Sequence, residues 1–277
     1  MTKVRPRKRF GQHFLNDGNI IRKIIANIRP VSTDHFVEIG PGQGAITLPL
    51  LASGARLDAI EVDRDLARDL PGRVQTERCT VHCADALAFD FSSLAAPGEK
   101  LRLVGNLPYN ISTPLLFHFL HYGTSWQDLH VMLQKEVGER IAAEPGNKIY
   151  GRLTVALALR CRIEQLFGIS PGSFTPPPQV NSVFLRLVPH PVPLADAGLL
   201  SVADQLVAAA FGMRRKRLSN GLRGLATAAE ISAASIDPGL RPEQLSPADW
   251  LQLSRFIASV KPGLAKHLSP LPEWPAQ

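Results

Sequence analysis

Residues 37–44 read VEIGPGQG and place a glycine-rich turn directly after an apolar strand pattern and before a helical one. Glycine lets the backbone pass close to a ligand at the carboxyl end of a strand, where open α/β sheets bind their ligands. The spacing is G-x-G-x-G, which differs from the G-x-G-x-x-G that cradles a dinucleotide pyrophosphate. The turn therefore predicts a ligand site in an α/β sheet and argues against a nicotinamide dinucleotide.

Strand patterns alternate with helical patterns downstream of this turn, which is typical of a mostly parallel sheet covered on both faces. Seven strands are predicted, at residues 35–40, 56–62, 80–85, 101–106, 129–134, 161–167 and 182–188. Residues 170–180 join the last two strands through FTPPP without a helical pattern, so we expect an antiparallel pair there. The fold class expected is α/β, with the Rossmann-like seven-stranded sheet of class I methyltransferases.

Composition and the later part of the chain indicate the class of protein and its domain organisation. The 277 residues are 45% hydrophobic and 20% charged, which excludes a disordered chain, collagen or a disulfide scaffold. After PHPVP (189–193) the β-branched runs end and helical patterns continue, so we expect a sheet domain at 1–190 and a smaller all-helical domain at 191–277. Three cysteines, with no membrane-length apolar run and no secretory signal, predict a cytoplasmic protein.

Basic residues concentrate in two segments. Residues 1–29 hold eight Lys and Arg against one Asp, an excess equal to the net charge of +7 of the whole chain. Such a cluster is typical of polyanion binding, although a solvated tail has the same composition. A second basic run follows a helical pattern at 202–213. The residues expected to contact nucleic acid phosphates are Arg7, Lys8, Arg9, Arg214, Arg215, Lys216 and Arg217.

Two acidic residues at the ends of neighbouring strands indicate the kind of ligand. Glu61 ends the second predicted strand, where its carboxylate can accept hydrogen bonds from both hydroxyls of a ribose. Asp85 ends the third, where it can accept one from an exocyclic amine. With the turn at Gly40 and Gly42, these acids suit an adenosine-containing ligand without phosphates, and S-adenosyl-L-methionine fits best. The alternative is that both acids are ordinary polar residues at strand ends.

The fourth predicted strand ends in Asn106-Leu107-Pro108-Tyr109, which indicates the chemistry. An exocyclic adenine amine is a poor nucleophile because its lone pair is delocalised into the ring. The Asn106 side-chain oxygen and a backbone carbonyl at Leu107 or Pro108 can accept its N–H groups and favour a pyramidal nitrogen. Tyr109 offers a ring on which an extruded base can stack. Standing alone, the tetrapeptide would indicate no more than a turn with a packed tyrosine.

Several segments together resemble one family. RKRFGQHFL, VEIGPGQGAIT, NLPYNISTPLLF, MLQKEV, YGRLTV and FTPPPQVNS are similar to those of the KsgA (RsmA) 16S rRNA adenine N6-dimethyltransferases, from about residue 5 to residue 190. The resemblance implies dimethylation of two adjacent adenines near the 3′ end of 16S rRNA, with S-adenosyl-L-methionine, during maturation of the small ribosomal subunit.

The resemblance also implies roles for individual residues. In such proteins the segment matching Phe10–Leu15 lies over the cofactor. The positions that match cofactor contacts are His13, Leu15, Gly40, Glu61, Asp85 and Asn106. His13 departs from the family pattern, which has Asn there, so this contact is expected to differ in reach and tautomer. Phe174 falls where the family places a second aromatic ring against the target adenine.

Other functions remain open at the level of sequence. The same chemistry could act on a large-subunit rRNA adenine, as in the erythromycin-resistance methyltransferases, or on DNA adenine. A non-catalytic RNA-binding protein with an assembly-checkpoint role is a further alternative. Cys79 and Cys83 have no partner pair and the eight histidines are scattered, so no metal site is expected. No heptad pattern requires more than a monomer.

Overall fold

The computed structural model describes residues 12–109, 111–120, 122–123 and 125–264 of the chain. These residues divide into two compact units. The first contains the described residues up to Gly138 together with Glu164–Pro189, and the second contains Glu139–Ile163 and the described residues from His190 onward. The second unit thus includes Glu139–Ile163, a stretch that lies within residues 1–190, where the sequence predicts the sheet domain.

A seven-stranded sheet is the centre of the first unit. The strands in the described residues are β1 Phe14–Leu15, β2 His35–Ile39, β3 Arg56–Glu61, β4 Cys79–Cys83, β5 Leu101–Asn106, β6 Trp126–Gln134, β7 Cys161–Ile169, β8 Phe174–Thr175 and β9 Ser182–Pro189. The sheet order is β4-β3-β2-β5-β6-β9-β7, with parallel pairing from β4 to β6 and β9 antiparallel to β6. All seven predicted strands and the antiparallel seventh strand are confirmed, with bounds that differ by at most three residues.

Helices cover the sheet and build the second unit. Their bounds are α1 Gly18–Ile28, α2 Thr47–Ala52, α3 Arg64–Val74, α4 Ser112–Leu120, α5 Lys135–Ile141, α6 Arg152–Ala158, α7 Ala197–Gly212, α8 Leu218–Gly221, α9 Ala228–Ala233 and α10 Pro247–Val260. The Asp17 side chain caps α1 by accepting from the N–H groups of Asn19 and Ile20, and Ile24 and Ile28 bury its apolar face. From Ala197 onward the described secondary structure consists of helices alone, as the sequence predicts.

Each unit has its own apolar core. Every residue of β2 is buried, as is usual for a central parallel strand with both faces covered. In the second unit, Trp250 of α10 and Leu206 of α7 are fully buried in one cluster that also contains Tyr150 and Leu218. Burial of such apolar side chains contributes roughly 1.5–3 kcal/mol each to the stability of the fold.

A short N-terminal segment, residues 12–16, lies along the first unit, and we call it the strap. Its strand β1 pairs antiparallel with β8, with Phe14 opposite Thr175 and Leu15 opposite Phe174. The Gln12 amide donates to the Asp63 carboxylate at 3.1 Å, and the Asn16 backbone N–H donates to the Ser173 carbonyl at 3.0 Å. These contacts fix the strap at both of its ends.

Candidate active site

A cavity of about 250 Å³ opens at the carboxyl ends of β2, β3 and β5. Parallel strands deliver their ends to the same edge of a sheet, which is why residues far apart in sequence meet here. Ten of the residues predicted for the site line this cavity: His13, Leu15, Gly40, Gly42, Glu61, Asp85, Asn106, Leu107, Pro108 and Tyr109.

The glycine turn after β2 shapes one wall of the cavity. Gly40 and Gly42 have φ values of +65° and +56°, in the left-handed region that side chains disfavour. A Cβ atom on Gly42 would lie 3.1 Å from the ring of Phe14 in the strap. The turn therefore needs glycine both for its backbone conformation and for the close approach of the strap.

Glu61 ends β3 with its carboxylate fixed beside this turn. One oxygen accepts the Gly42 N–H at 3.1 Å, and the other accepts the Asp63 N–H at 2.9 Å. Burial raises the pKa of the Glu61 carboxyl, although these backbone N–H groups oppose the rise. A carboxylate offers about four lone-pair sites, so Glu61 can accept further hydrogen bonds from a ligand in the cavity.

Asp85 lies in the turn after β4, two residues beyond the end of the strand at Cys83. One of its carboxylate oxygens accepts the Leu87 N–H at 2.9 Å, and the residue is exposed at the cavity. The structure thus brings Asp85 to the same opening as Glu61, from the next strand of the sheet.

The tetrapeptide after β5 is anchored to the strap and to the sheet. The Asn106 amide nitrogen donates to the His13 backbone carbonyl at 3.0 Å. A carbonyl can only accept, so this bond fixes which end of the amide is nitrogen and leaves the Asn106 Oδ1 atom as an acceptor. The Leu107 N–H donates to the Met132 carbonyl at 3.2 Å, and the Pro108 carbonyl accepts the Ile111 N–H at 3.1 Å.

Tyr109 is half-buried, and its side chain contacts those of Ser182 and His13. Its hydroxyl lies 2.8 Å from the Ser182 hydroxyl, and its ring stacks on the His13 ring with centroids 5.7 Å apart and planes at 27°. Burial raises the pKa of the Tyr109 phenol, although the hydrogen bond with Ser182 opposes this. The Nδ1 atom of His13 lies 2.7 Å from the Pro176 carbonyl, which can only accept, so Nδ1 carries the proton of that bond.

Glu38 is a residue of the cavity that sequence reasoning missed. It is completely buried in β2, lines the cavity and accepts a hydrogen bond from the Thr47 hydroxyl at 2.6 Å. Burial raises the pKa of its carboxyl to about 7, while Thr47 opposes the rise and the nearby Glu61 adds to it. The available signal was an acidic residue between two apolar ones inside a strand pattern, two residues before the glycine turn.

The remaining predicted site residues lie elsewhere or outside the described residues. The Phe174 side chain is buried in the core of the first unit, only 3% exposed, and does not line the cavity. The run Arg214–Arg217 follows α7 in the second unit. Arg7, Lys8 and Arg9 lie outside the described residues.

The described residues offer neither a metal site nor a membrane-spanning helix. No group of three or more His, Cys, Asp or Glu side chains is placed to hold a metal ion. None of the helices described has the length and apolar character needed to cross a membrane.

The sheet order, the antiparallel seventh strand and the cavity between a glycine turn and strand-end acids define a class I methyltransferase fold. The family model described as Ribosomal RNA adenine dimethylase matches residues 3–259. The chain belongs to this family, and the resemblance drawn from its motifs is confirmed.

Similar proteins agree with this assignment. The "Ribosomal RNA small subunit methyltransferase A" of Nitrosococcus oceani is 50% identical over 253 residues, which cover 91% of this chain and 96% of that protein. The protein of the same name from Aromatoleum aromaticum is 50% identical over 262 residues, covering 95% and 98%.

Solved structures support the fold. A dimethyladenosine transferase from Plasmodium falciparum superposes with a TM-score of 0.73 at 25% identity, covering 87% of this chain and 96% of that one. The 23S rRNA methyltransferase ErmE superposes with a TM-score of 0.68 at 23% identity, covering 88% and 99%. The likeness to ErmE concerns the fold alone.

Proposed function

We propose that this protein dimethylates the N6 amines of two adjacent adenines near the 3′ end of 16S rRNA, using S-adenosyl-L-methionine, during biogenesis of the 30S subunit. It would act in the cytoplasm, as a monomer, on an immature small ribosomal subunit. The names of the relatives at 50% identity support the small-subunit substrate. The observation that carries the chemistry is the orientation of the Asn106 amide, which leaves its oxygen as an acceptor at the cavity.

The cavity residues fit S-adenosyl-L-methionine. A carboxylate has about four lone-pair sites, so Glu61 retains acceptor capacity besides the hydrogen bonds from Gly42 and Asp63, as a ribose with two free hydroxyls requires. The exposed Val62 side chain follows it at the cavity and offers an apolar surface to an adenine ring. Gly40, Gly42 and Asp85, with His13 and Leu15 of the strap, are the further residues that would hold the cofactor.

The chain's own residues would activate the target amine by orienting it. The bound cofactor supplies an electrophilic sulfonium methyl group. The Asn106 oxygen accepts one N–H of the adenine amine, and a backbone carbonyl of the tetrapeptide accepts the other. The Pro108 carbonyl already accepts the Ile111 N–H, which favours the Leu107 carbonyl as the second acceptor. The amine proton becomes acidic only after methylation, so no strong base is required beforehand.

Two aromatic residues have expected roles at the target base. Tyr109 lines the cavity and is only half-buried, which supports its role with the extruded adenine. Phe174 is buried behind the strap in this structure, so a stacking role would require its side chain to turn outward when RNA binds.

A methyl-transfer assay tests the proposal. Labelled S-adenosyl-L-methionine is offered with undermethylated small subunits, with large subunits and with adenine-containing DNA, and the modified nucleoside is identified. We expect N6,N6-dimethyladenosine in small-subunit rRNA alone. Label in the large subunit or in DNA would overturn the substrate but keep the chemistry, and binding without transfer would favour the assembly-checkpoint alternative.

The two basic segments are proposed to contact rRNA phosphates. Arg215, Lys216 and Arg217 are exposed after α7. Arg214 differs, because its guanidinium donates to the Lys148 carbonyl at 2.5 Å and is therefore also a structural contact. Residues 7–9 supply the second set of cations from the N-terminal segment.

The salt dependence of RNA binding tests these contacts. Deleting residues 1–9, or changing residues 215–217 to Ala, should flatten the plot of log affinity against log salt by about 0.7 for each lost phosphate contact. Arg68→Ala, at an exposed cation of α3, is the control and should leave the slope unchanged. An unchanged slope after the deletion would return residues 1–9 to the solvated-tail interpretation.

A further inference from the structure

The Tyr109 hydroxyl contacts Ser182, the last residue of FTPPPQVNS, for which the sequence alone predicts no role in the site. Ser182 is the first residue of β9, is 2% exposed, and pairs with Gln134 of β6. Its hydroxyl lies 2.8 Å from that of Tyr109. Because β9 is an inner strand of the sheet, the backbone that carries the Ser182 hydroxyl is held by strand pairing.

The ring of Tyr109 is contacted by a second fixed group. The His13 imidazole stacks on it, and the Nδ1–H group of His13 donates to the Pro176 carbonyl at 2.7 Å. The strap and the segment that follows β8 thus hold the imidazole from two sides. The backbone carbonyl of His13 accepts from Asn106, and this bond does not depend on the side chain at position 13.

We propose that Ser182 and His13 are positioning residues for Tyr109, the first at its hydroxyl and the second at one face of its ring. The inference rests on the proposed function, since it names the groups that present Tyr109 to the target adenine. These two contacts restrict the Tyr109 ring to one orientation before RNA binds. Less conformational entropy of the Tyr109 side chain is then lost when an extruded base stacks on the ring. In this proposal the His13 side chain acts on the RNA, and the part of His13 that serves the cofactor cavity is its backbone.

A double-mutant cycle separates this role from a general structural one. Ser182→Ala should lower kcat/KM for the small-subunit substrate by about three- to tenfold, with the affinity for S-adenosyl-L-methionine unchanged. In a Tyr109→Phe background, the hydroxyl partner is absent and Ser182→Ala should have no further effect. An equal loss in both backgrounds would overturn the role of Ser182, because Ser182 would then act independently of the Tyr109 hydroxyl.

The role of His13 can be decided by measuring separately the kcat/KM for RNA and the affinity for the cofactor. His13→Asn installs the residue of the family pattern and removes the stacked ring. We expect a loss of kcat/KM for RNA of a few fold, an unchanged cofactor affinity, and no added effect in a Tyr109→Ala background. A loss confined to cofactor affinity would assign His13 to the cofactor and overturn its part in the proposal.

A measurement on the protein without substrate keeps this test separate from the proposed function. The chain has three tyrosines, so ring-selective carbon-13 labelling gives a small set of signals that substitutions can assign. Relaxation should show a more mobile Tyr109 ring in Ser182→Ala and in His13→Asn, with Tyr122 and Tyr150 as internal references. A ring equally ordered in all three proteins would overturn the inference. Absence of rRNA methylation by the wild-type protein would instead overturn the proposed function.

Discussion

The two ends of the sheet hold charged side chains in different ways. At the amino end, Arg102 donates to Asp128 at 2.9 and 2.8 Å and to Asp34 at 2.7 Å, so opposite charges meet inside the protein. At the carboxyl end, Glu61 is held by backbone N–H groups and Glu38 by a neutral hydroxyl. Acids that pair with a buried arginine at the amino end therefore serve the structure. Acids that accept only from N–H or O–H groups at the carboxyl end keep their charge or lone pairs available to a ligand.

The pKa shifts at the two ends differ in direction. Asp58, near the start of β3, accepts from His35 at 2.6 Å and from His82 at 2.7 Å. Burial alone would raise the pKa of its carboxyl, but these hydrogen bonds and charges outweigh it and lower the pKa. Glu38, at the cavity end, has its pKa raised to about 7 because burial dominates.

The largest effect should come from breaking the charge network at the amino end. Arg102→Leu leaves the fully buried Asp128 with only Arg186 beside it among the described cations, at 3.5 Å, and also removes the cation from beside Asp34. We expect a loss of about 3–5 kcal/mol in the free energy of unfolding, because an uncompensated buried charge is costly. Urea unfolding measures this loss.

A second substitution checks that charge is the cause. Adding Asp128→Asn to Arg102→Leu removes the stranded carboxylate and should recover part of the lost stability. If the double variant were no more stable than Arg102→Leu, loss of packing against the Phe36 ring, whose centroid lies 4.9 Å from the Arg102 guanidinium carbon, would be the better explanation.

At the cavity end, the matching experiment is Asn106→Ala. It removes the proposed acceptor for the adenine amine, so kcat should fall by roughly 100- to 1000-fold. The affinity for S-adenosyl-L-methionine should change far less, because the acceptor acts on the nucleophile. Single-turnover methylation and cofactor binding are the measurements.

Asn106 also holds the strap through His13, so a control is needed. Asn16→Ala removes a different hydrogen bond of the strap, to the Thr175 hydroxyl, and leaves the acceptor in place. It should reduce kcat only slightly. Equal losses of turnover and cofactor affinity in Asn106→Ala would contradict the assigned role.

The sequence was sufficient for the sheet and for most of the cavity. Central parallel strands are buried on both faces and therefore read as continuous apolar runs, and their carboxyl ends must meet at one edge. The two-residue strands β1 and β8 could not be predicted, because such short pairs have no periodicity and lie about 160 residues apart. The burial of Phe174 depends on that pairing, and the contact of Ser182 with Tyr109 depends on where β9 begins. Neither could be predicted from the sequence, because both are contacts between segments far apart in the chain.

The next largest effect is the dependence of stability on pH that Glu38 should cause. Its folded-state pKa of about 7 exceeds the value of 4.5 for an exposed Glu, so the folded protein binds this proton more tightly than the unfolded chain. Its contribution to stability is complete below pH 4.5 and is lost as pH rises to about 7. Over that window, wild type should lose up to about 3 kcal/mol relative to Glu38→Gln. Parallel stability curves for the two proteins would contradict the raised pKa.

The smallest effect should come from an arginine at the amino end that is not buried. Arg56 donates to Glu99 at 2.7 Å and to His35 at 2.7 Å, but its side chain is 55% exposed. Water already solvates this guanidinium, so Arg56→Ala should cost less than about 1 kcal/mol, and the cost should shrink further in high salt. Urea unfolding at low and high salt measures both quantities. A cost comparable to that of Arg102→Leu would mean that the number of partners, rather than burial, governs the charges at this end of the sheet.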